Sequence, residues 1–255
     1  MGTENTIDAD LWLRRYHSAP RARIRLVCFP HAGGSASYYV PVSNALSPAL
    51  DVVAVQYPGR QDRRGEPFVE TVEELADILV DLIEPLADLP LALFGHSLGA
   101  SIAFEVACRL ESRGTVPLAL FASGRRAPSR ARDESVHLMD DQGLIAEIKQ
   151  LGGTDAKLLG DQELMEMVLP ATRNDYKAAE LYRYTPRSPL ATAIHAHIGV
   201  DDPKVSLDEA QAWKKHTTRA FELTTYPGGH FYLQDYGPRV IESIRRVTSE
   251  LAELS

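Results

Sequence analysis

Gly95-His96-Ser97-Leu98-Gly99 has the form G-x-S-x-G. In that pattern a serine sits on a tight turn between a strand and a helix, with its hydroxyl exposed. Small residues two before and two after let the turn pass close to its neighbours. A serine hydroxyl is a poor nucleophile unaided and needs a histidine base held by a carboxylate. On such a frame the chain order is Ser, then Asp or Glu, then His. Eight histidines compete. His17 lies near the N-terminus, and His31 and His96 precede or adjoin the serine, so order excludes them. His137 falls in a helical stretch, His195 and His197 alternate along a strand, and His216 sits in a polar segment expected to be exposed. His230, in Gly228-Gly229-His230-Phe231, follows a strand-like segment and precedes the last helix, and is the candidate base. The carboxylate belongs on the loop after the preceding strand, Gly199-Val200-Asp201-Asp202-Pro203. Asp202 is favoured because the following proline holds it extended, and Asp201 is the alternative.

A developing oxyanion needs two N–H donors. One is the backbone N–H of Leu98, after the serine at a helix N-terminus. Pro30-His31-Ala32-Gly33-Gly34 is a glycine-rich loop after the first strand that resembles the oxyanion loops of lipases and esterases. It offers the N–H of Ala32, with His31 read as structural. G-x-G-x-x-G is absent there, which removes a dinucleotide-binding reading.

These residues need a frame. Apolar, β-prone runs predict strands at 24–29, 51–56, 91–94, 118–122, 193–200 and 221–226. Thr71 and Glu74 form a capping-box pattern ahead of a helix over 71–86. A second helix covers 98–113 and ends at Gly114. Val240, Ile241, Ile244, Val247 and Leu251 make a C-terminal amphipathic helix, with Pro238 near its first turn. Alternating strands and helices predict a mainly parallel sheet flanked by helices, an α/β fold. Residues 124–189 break the rhythm, with helices over 140–151 and 161–184, the latter bent at Pro170, and no strand. They read as a helical lid over 125–189 on an α/β core of 1–124 and 190–255. Leu144, Ile148, Leu164, Met165, Met167, Val168 and Leu169 are its apolar residues, mostly for packing and a few for lining a channel. Gly152-Gly153 suits a turn or a hinge. The first 20 or so residues look like a tail.

Composition bounds the rest. The chain has 255 residues, 44% hydrophobic and 24% charged, with a net charge of −8. That suits one large domain and argues against a general nucleic-acid binder. Two cysteines, Cys28 and Cys108, make no disulfide framework or zinc motif. No run approaches the roughly 18–20 apolar residues of a membrane span, and the N-terminus lacks the apolar region of a signal peptide. A cytoplasmic protein without membrane contact is expected.

The motifs together resemble the type II thioesterases of polyketide and nonribosomal peptide synthesis, free-standing α/β-hydrolase proteins related to medium-chain fatty-acyl carrier-protein hydrolases. The matching segments are Phe29-Pro30-His31-Ala32-Gly33-Gly34-Ser35-Ala36, Tyr57-Pro58-Gly59-Arg60 and Phe94-Gly95-His96-Ser97-Leu98-Gly99-Ala100. Gly199 to Pro203, with Trp213 downstream, and Gly228-Gly229-His230-Phe231-Tyr232-Leu233 complete them. The resemblance implies the α/β-hydrolase fold and a triad of Ser97, Asp202 and His230. It implies hydrolysis of acyl thioesters on the phosphopantetheine arm of acyl or peptidyl carrier proteins, removing stalled or wrong acyl groups. Small acyl thioesters would also serve. No metal or cofactor is expected, and a monomer is. Carrier proteins are usually acidic, as this chain is, so docking would need a basic patch. Arg60, Arg63 and Arg64 are one candidate, and Arg125, Arg126, Arg130 and Arg132 another. A carboxylesterase or serine acyltransferase on the same fold, or a catalytically silent assembly-line binding protein, is the competing reading.

Overall fold

The computed structural model describes residues 8–152 and 161–253. Helix α1 (Ala9–Trp12), capped by the Asp8 carboxylate, leads into strand β1 (Leu13–Arg14). Then follow β2 (Arg25–Phe29), α2 (Val40–Leu46), β3 (Asp51–Val55), α3 (Val72–Ile83), β4 (Leu91–His96), α4 (Leu98–Ser112) and β5 (Ala119–Ser123). Helices α5 (Asp141–Leu151) and α6 (Gln162–Leu181) come next. The chain returns through β6 (Ala193–Gly199), α7 (Leu207–Gln211), β7 (Phe221–Tyr226) and α8 (Leu233–Glu253).

Among the described residues the strands form one seven-stranded sheet in the order β1-β3-β2-β4-β5-β6-β7. Every pair is parallel except β1 with β3. The inner strands are near-continuous apolar runs because both faces are covered. Their alternation divides the core. Val27, Phe29, Val53, Val55 and Leu93 face α3 and α4, while Leu26, Cys28, Val52, Ala54 and Ala92 face the apolar stripe of α8 at Val240, Ile244 and Val247. The N-terminal segment is therefore not wholly a tail. Leu13 pairs with Val55, Arg14 pairs with Ala54, and buried Trp12 lies 4.3 Å under the Arg63 guanidinium. Two apolar residues beside a cation sufficed to add an edge strand.

The α/β-hydrolase frame departs from the sequence pattern in details with local causes. Helix α3 stops at Ile83 and passes into a 3-10 turn over Glu84–Asp88, where Pro85 cannot donate to the helical ladder. Thr71 Oγ1 caps it by accepting the Glu74 N–H at 3.1 Å. Helices α2 and α7 are short and were not anticipated. Helix α6 runs through Pro170, and α8 starts well before Pro238.

No strand lies between β5 and β6 among the described residues. Asp140 caps α5, Gly152 ends it at a φ of 77°, and Asp161 caps α6. Gly153 lies outside the described residues. Val136, Leu144, Met165 and Leu169 form a small core of their own. Leu164 and Met167, expected to pack, are exposed instead. No described helix is long and apolar enough to cross a membrane.

Candidate active site

The turn between β4 and α4 carries Ser97 at φ 55°, ψ −119°, a strained conformation for a residue with a Cβ. Its neighbours explain why the turn holds. A Cβ on Gly95 would lie 2.2 Å from the Gly99 carbonyl oxygen, and one on Gly99 would lie 2.0 Å from that of Phe29. The Ser97 N–H donates to the Ser123 carbonyl at 2.8 Å, tying the turn to the next strand. The strain is thus imposed by the sheet, and the side chain stays half-buried at the C-terminal edge of the strands, where open α/β sheets bind ligands.

The loops after β6 and β7 bring a carboxylate and an imidazole together. His230 Nδ1 lies 2.8 Å from Asp202 Oδ2, and both side chains are buried. The other Asp202 oxygen accepts the Lys204 N–H at 2.8 Å, which fixes the carboxylate. Asp201 is exposed. The two loops meet so closely that a Cβ on Gly199 would sit 2.2 Å from the Gly229 carbonyl oxygen. With Nδ1–H given to Asp202, Nε2 is the basic nitrogen left to the cavity that His230 shares with Ser97.

Two histidines pack nearby, buried His96 against His230 and half-buried His31 against His96. The His96 ring centroid is 5.0 Å from that of His230, and the His31 ring is 5.9 Å from that of His96. Burial, then the charge of His230, holds both well below the ordinary histidine range, His31 at about 3, so both stay neutral. His96 Nδ1 lies 2.8 Å from Ser123 Oγ, which in turn lies 2.6 Å from the Tyr232 hydroxyl. Ser123 was not anticipated, and Tyr232 stood only within a matching segment with no role of its own: a serine at a strand end and a tyrosine two after the histidine do not announce a bond between them.

Ala32 and Leu98 line the same cavity, and their N–H groups donate to no protein acceptor among the described residues. The neighbouring Gly33 N–H is taken by Asp175 Oδ2 at 2.8 Å. The cavity encloses about 900 Å³, including space open to solvent. Ile148, Met165 and Val168 form an apolar wall from α5 and α6, while Arg125, Glu134 and Lys204 make a polar one.

The arginines expected at a docking surface mostly lie elsewhere. Arg60 is buried and forms a two-point ion pair with Asp175, at 2.6 and 2.9 Å. Arg63 is buried, paired with Glu66 and bonded to the Gln56 carbonyl. Arg126 is buried against Glu134. Arg132 grips Glu209. Arg125 lines the cavity and donates to Ser101 Oγ and the Ala179 carbonyl. Burial, then the charge of Arg126, pushes its pKa down to about 10. Only Arg64 and Arg130 of the seven are exposed. A guanidinium near an acid is drawn into a pair, and linear spacing does not reveal which acids fold beside it. His216 also differs from expectation: it is buried against Phe104 and Trp213, with burial pushing it down to about 4.

Comparison with known proteins follows the same line. The thioesterase domain family matches residues 24–248. Thioesterase PikA5 of Streptomyces venezuelae is 52% identical over 240 residues, covering 93% of this chain and 85% of that protein. The type II thioesterase BorB from the borrelidin biosynthetic cluster superposes with a TM-score of 0.89 at 49% identity, covering 94% of this chain and 98% of BorB. The thioesterase RedJ from the prodiginine pathway of Streptomyces coelicolor gives 0.84 at 38% identity, covering 90% and 87%.

Proposed function

The chain belongs to the thioesterase family and is a thioester hydrolase, and from that premise we propose that it clears acyl groups from the phosphopantetheine arms of carrier proteins in polyketide or nonribosomal peptide assembly. One observation carries the reading: strained Ser97 and His230, the latter paired with buried Asp202, line one cavity with an apolar wall. The similarity to PikA5 and BorB supports the carrier-bound substrate.

In the proposed reaction His230 Nε2 takes the Ser97 proton as Oγ attacks the thioester carbonyl. The negative oxygen rests on the N–H groups of Ala32 and Leu98; losing one such donor typically costs about 3–4 kcal/mol of transition-state stabilisation. Collapse breaks the C–S bond, and the imidazolium returns its proton to the departing thiolate. Water then attacks the acyl-serine, His230 takes its proton, and Ser97 recovers it as the carboxylic acid leaves. Asp202 keeps Nδ1 protonated and steadies the imidazolium. These groups and water balance every step without a cofactor. The apolar wall of Ile148, Met165 and Val168 suits the acyl chain. Exposed Arg64 and Arg130 are the docking cations this reading retains. A cytoplasmic monomer completes it.

The test is a turnover panel of acetyl, propionyl and longer acyl groups on a carrier protein, set against a small acyl thioester and a simple ester. Carrier-bound thioesters should turn over best, and Ser97→Ala should remove all turnover while the protein still folds. Parent-rate turnover by Ser97→Ala would sink the triad. Preference for the simple ester would favour a carboxylesterase, and no labelling of Ser97 by a fluorophosphonate would favour a silent binding protein.

A further inference from the structure

Asp175 lies on α6, far from the triad along the chain, and is 2% exposed. It has no reacting atom to meet. Its carboxylate instead takes three donors. Oδ2 accepts the Gly33 N–H at 2.8 Å and Arg60 Nη1 at 2.6 Å, and Oδ1 accepts Arg60 Nη2 at 2.9 Å. Arg60 Nη1 also reaches the Gly34 carbonyl at 3.2 Å.

Gly33 and Gly34 close the turn that presents the Ala32 N–H. The Gly34 N–H donates to the His31 carbonyl at 2.9 Å, which sets the peptide plane carrying the Ala32 N–H. Gly33, third in that turn, has a φ of 73°. Its Cα packs against α6 so tightly that a Cβ would lie 2.5 Å from Thr172 Oγ1. One face of α6, through Thr172 and Asp175, therefore holds the turn from the lid side, while Arg60 holds it from the sheet side. A buried ion pair contributes little to stability on balance, because desolvation offsets most of the attraction. Geometry is the better account of why this one sits here.

We propose that Asp175, with Arg60, is the positioning residue of the oxyanion hole, and that it makes the aim of the Ala32 N–H depend on the seating of α6. This rests on the reading of Ser97 as nucleophile and Ala32 as oxyanion donor. By binding the Gly33 N–H, the carboxylate stops the turn from rotating and keeps the adjacent Ala32 N–H on the cavity. Lid position and catalytic competence are then one equilibrium: if α6 lifts, the turn loses its acceptor and the hole loses a donor.

The experiment uses two variants of the full chain, with Ser97→Ala as control. Asp175→Asn keeps the shape but cannot satisfy all three donors. The double variant Arg60→Met/Asp175→Leu replaces the pair by apolar groups and should keep its Tm, since such swaps are often neutral. Both should lose about 10²-fold in kcat, on the scale of one oxyanion donor, with KM little changed. Both should also bind an alkyl trifluoromethyl ketone, whose adduct on Ser97 carries the oxyanion, at least about 10-fold more weakly. A merely structural pair would leave both readouts unmoved in a double variant that still melts at the parent Tm, and that result overturns the proposal. Parent kcat in Asp175→Asn overturns it as well. Turnover that survives Ser97→Ala identifies failure of the underlying triad instead.

Discussion

Asp202 and Asp175 are both buried carboxylates, each facing one cationic or basic partner, the first after strand β6 and the second on helix α6. Asp202 stands on a loop of the sheet and holds His230, the base of the proposed reaction. Asp175 stands on helix α6 and holds Arg60, whose charge does not change. The first pair can respond to proton transfer, and the second can only fix a position. Under the proposed reading that contrast separates chemistry from geometry: the sheet loops carry the groups that exchange protons, and helix α6 carries the group that aims a donor.

The largest expected effect breaks the pair on the sheet. Asp202→Asn should favour the wrong His230 tautomer and lower kcat by about 10⁴-fold, with thermal unfolding showing that the fold persists. Asp201→Asn, at an exposed neighbour, should stay within about two-fold, in line with the small effects of surface substitutions. Equal losses in the two variants would erase the distinction between the aspartates. The clamp variants should fall between these extremes.

A smaller effect concerns the loops that bring Asp202 and His230 together. Gly199→Ala would place a methyl 2.2 Å from the Gly229 carbonyl oxygen, so the His230 loop must shift. Destabilisation of about 1–3 kcal/mol is expected from such overpacking, with kcat falling more than KM rises. Chemical denaturation and steady-state kinetics on the same preparation check it, and a variant with parent stability would show that the loops have slack.

A distributed effect is acid sensitivity. Burial holds His31 and His197 at about 3 and His96 well below its ordinary value of 6.5. Their folded values lie below the unfolded one, so falling pH protonates the unfolded chain first. Stability is full well above pH 6.5 and declines through and below it, by about 1.4 kcal/mol per such group between pH 7.5 and 5.5. Urea midpoints at the two pH values read this out directly. An unchanged midpoint would mean that these histidines charge without unfolding. Arg60–Asp175 adds nothing to this slope through its cation, which separates the two regions once more.

The core strands were legible because burial on both faces leaves continuous apolar runs such as Leu26 to Phe29. Ser97 and His230 were legible because the elbow and the Gly228-Gly229 loop carry local glycine requirements. The edge strand at Leu13–Arg14 was not, since two residues make no period. Helix α7 is five residues long and equally weak as a pattern. The fate of the arginines was illegible for another reason. Arg64 and Arg63 are neighbours in sequence, yet one is exposed and the other is buried under Glu66 and above Trp12.

By itself the sequence determined the kind of chemistry, the order of its groups and the frame that presents them. Each of these depends on periodicity or on backbone freedom within a few residues. The sequence favoured Asp202 over Asp201 but left both open, and the tertiary structure set Asp202 against His230; only it withdrew Arg60 from the surface. It alone joined Arg60 to Asp175, 115 residues away. Such pairings are set by which surfaces pack together, and electrostatic attraction across a fold leaves no spacing in the chain to read.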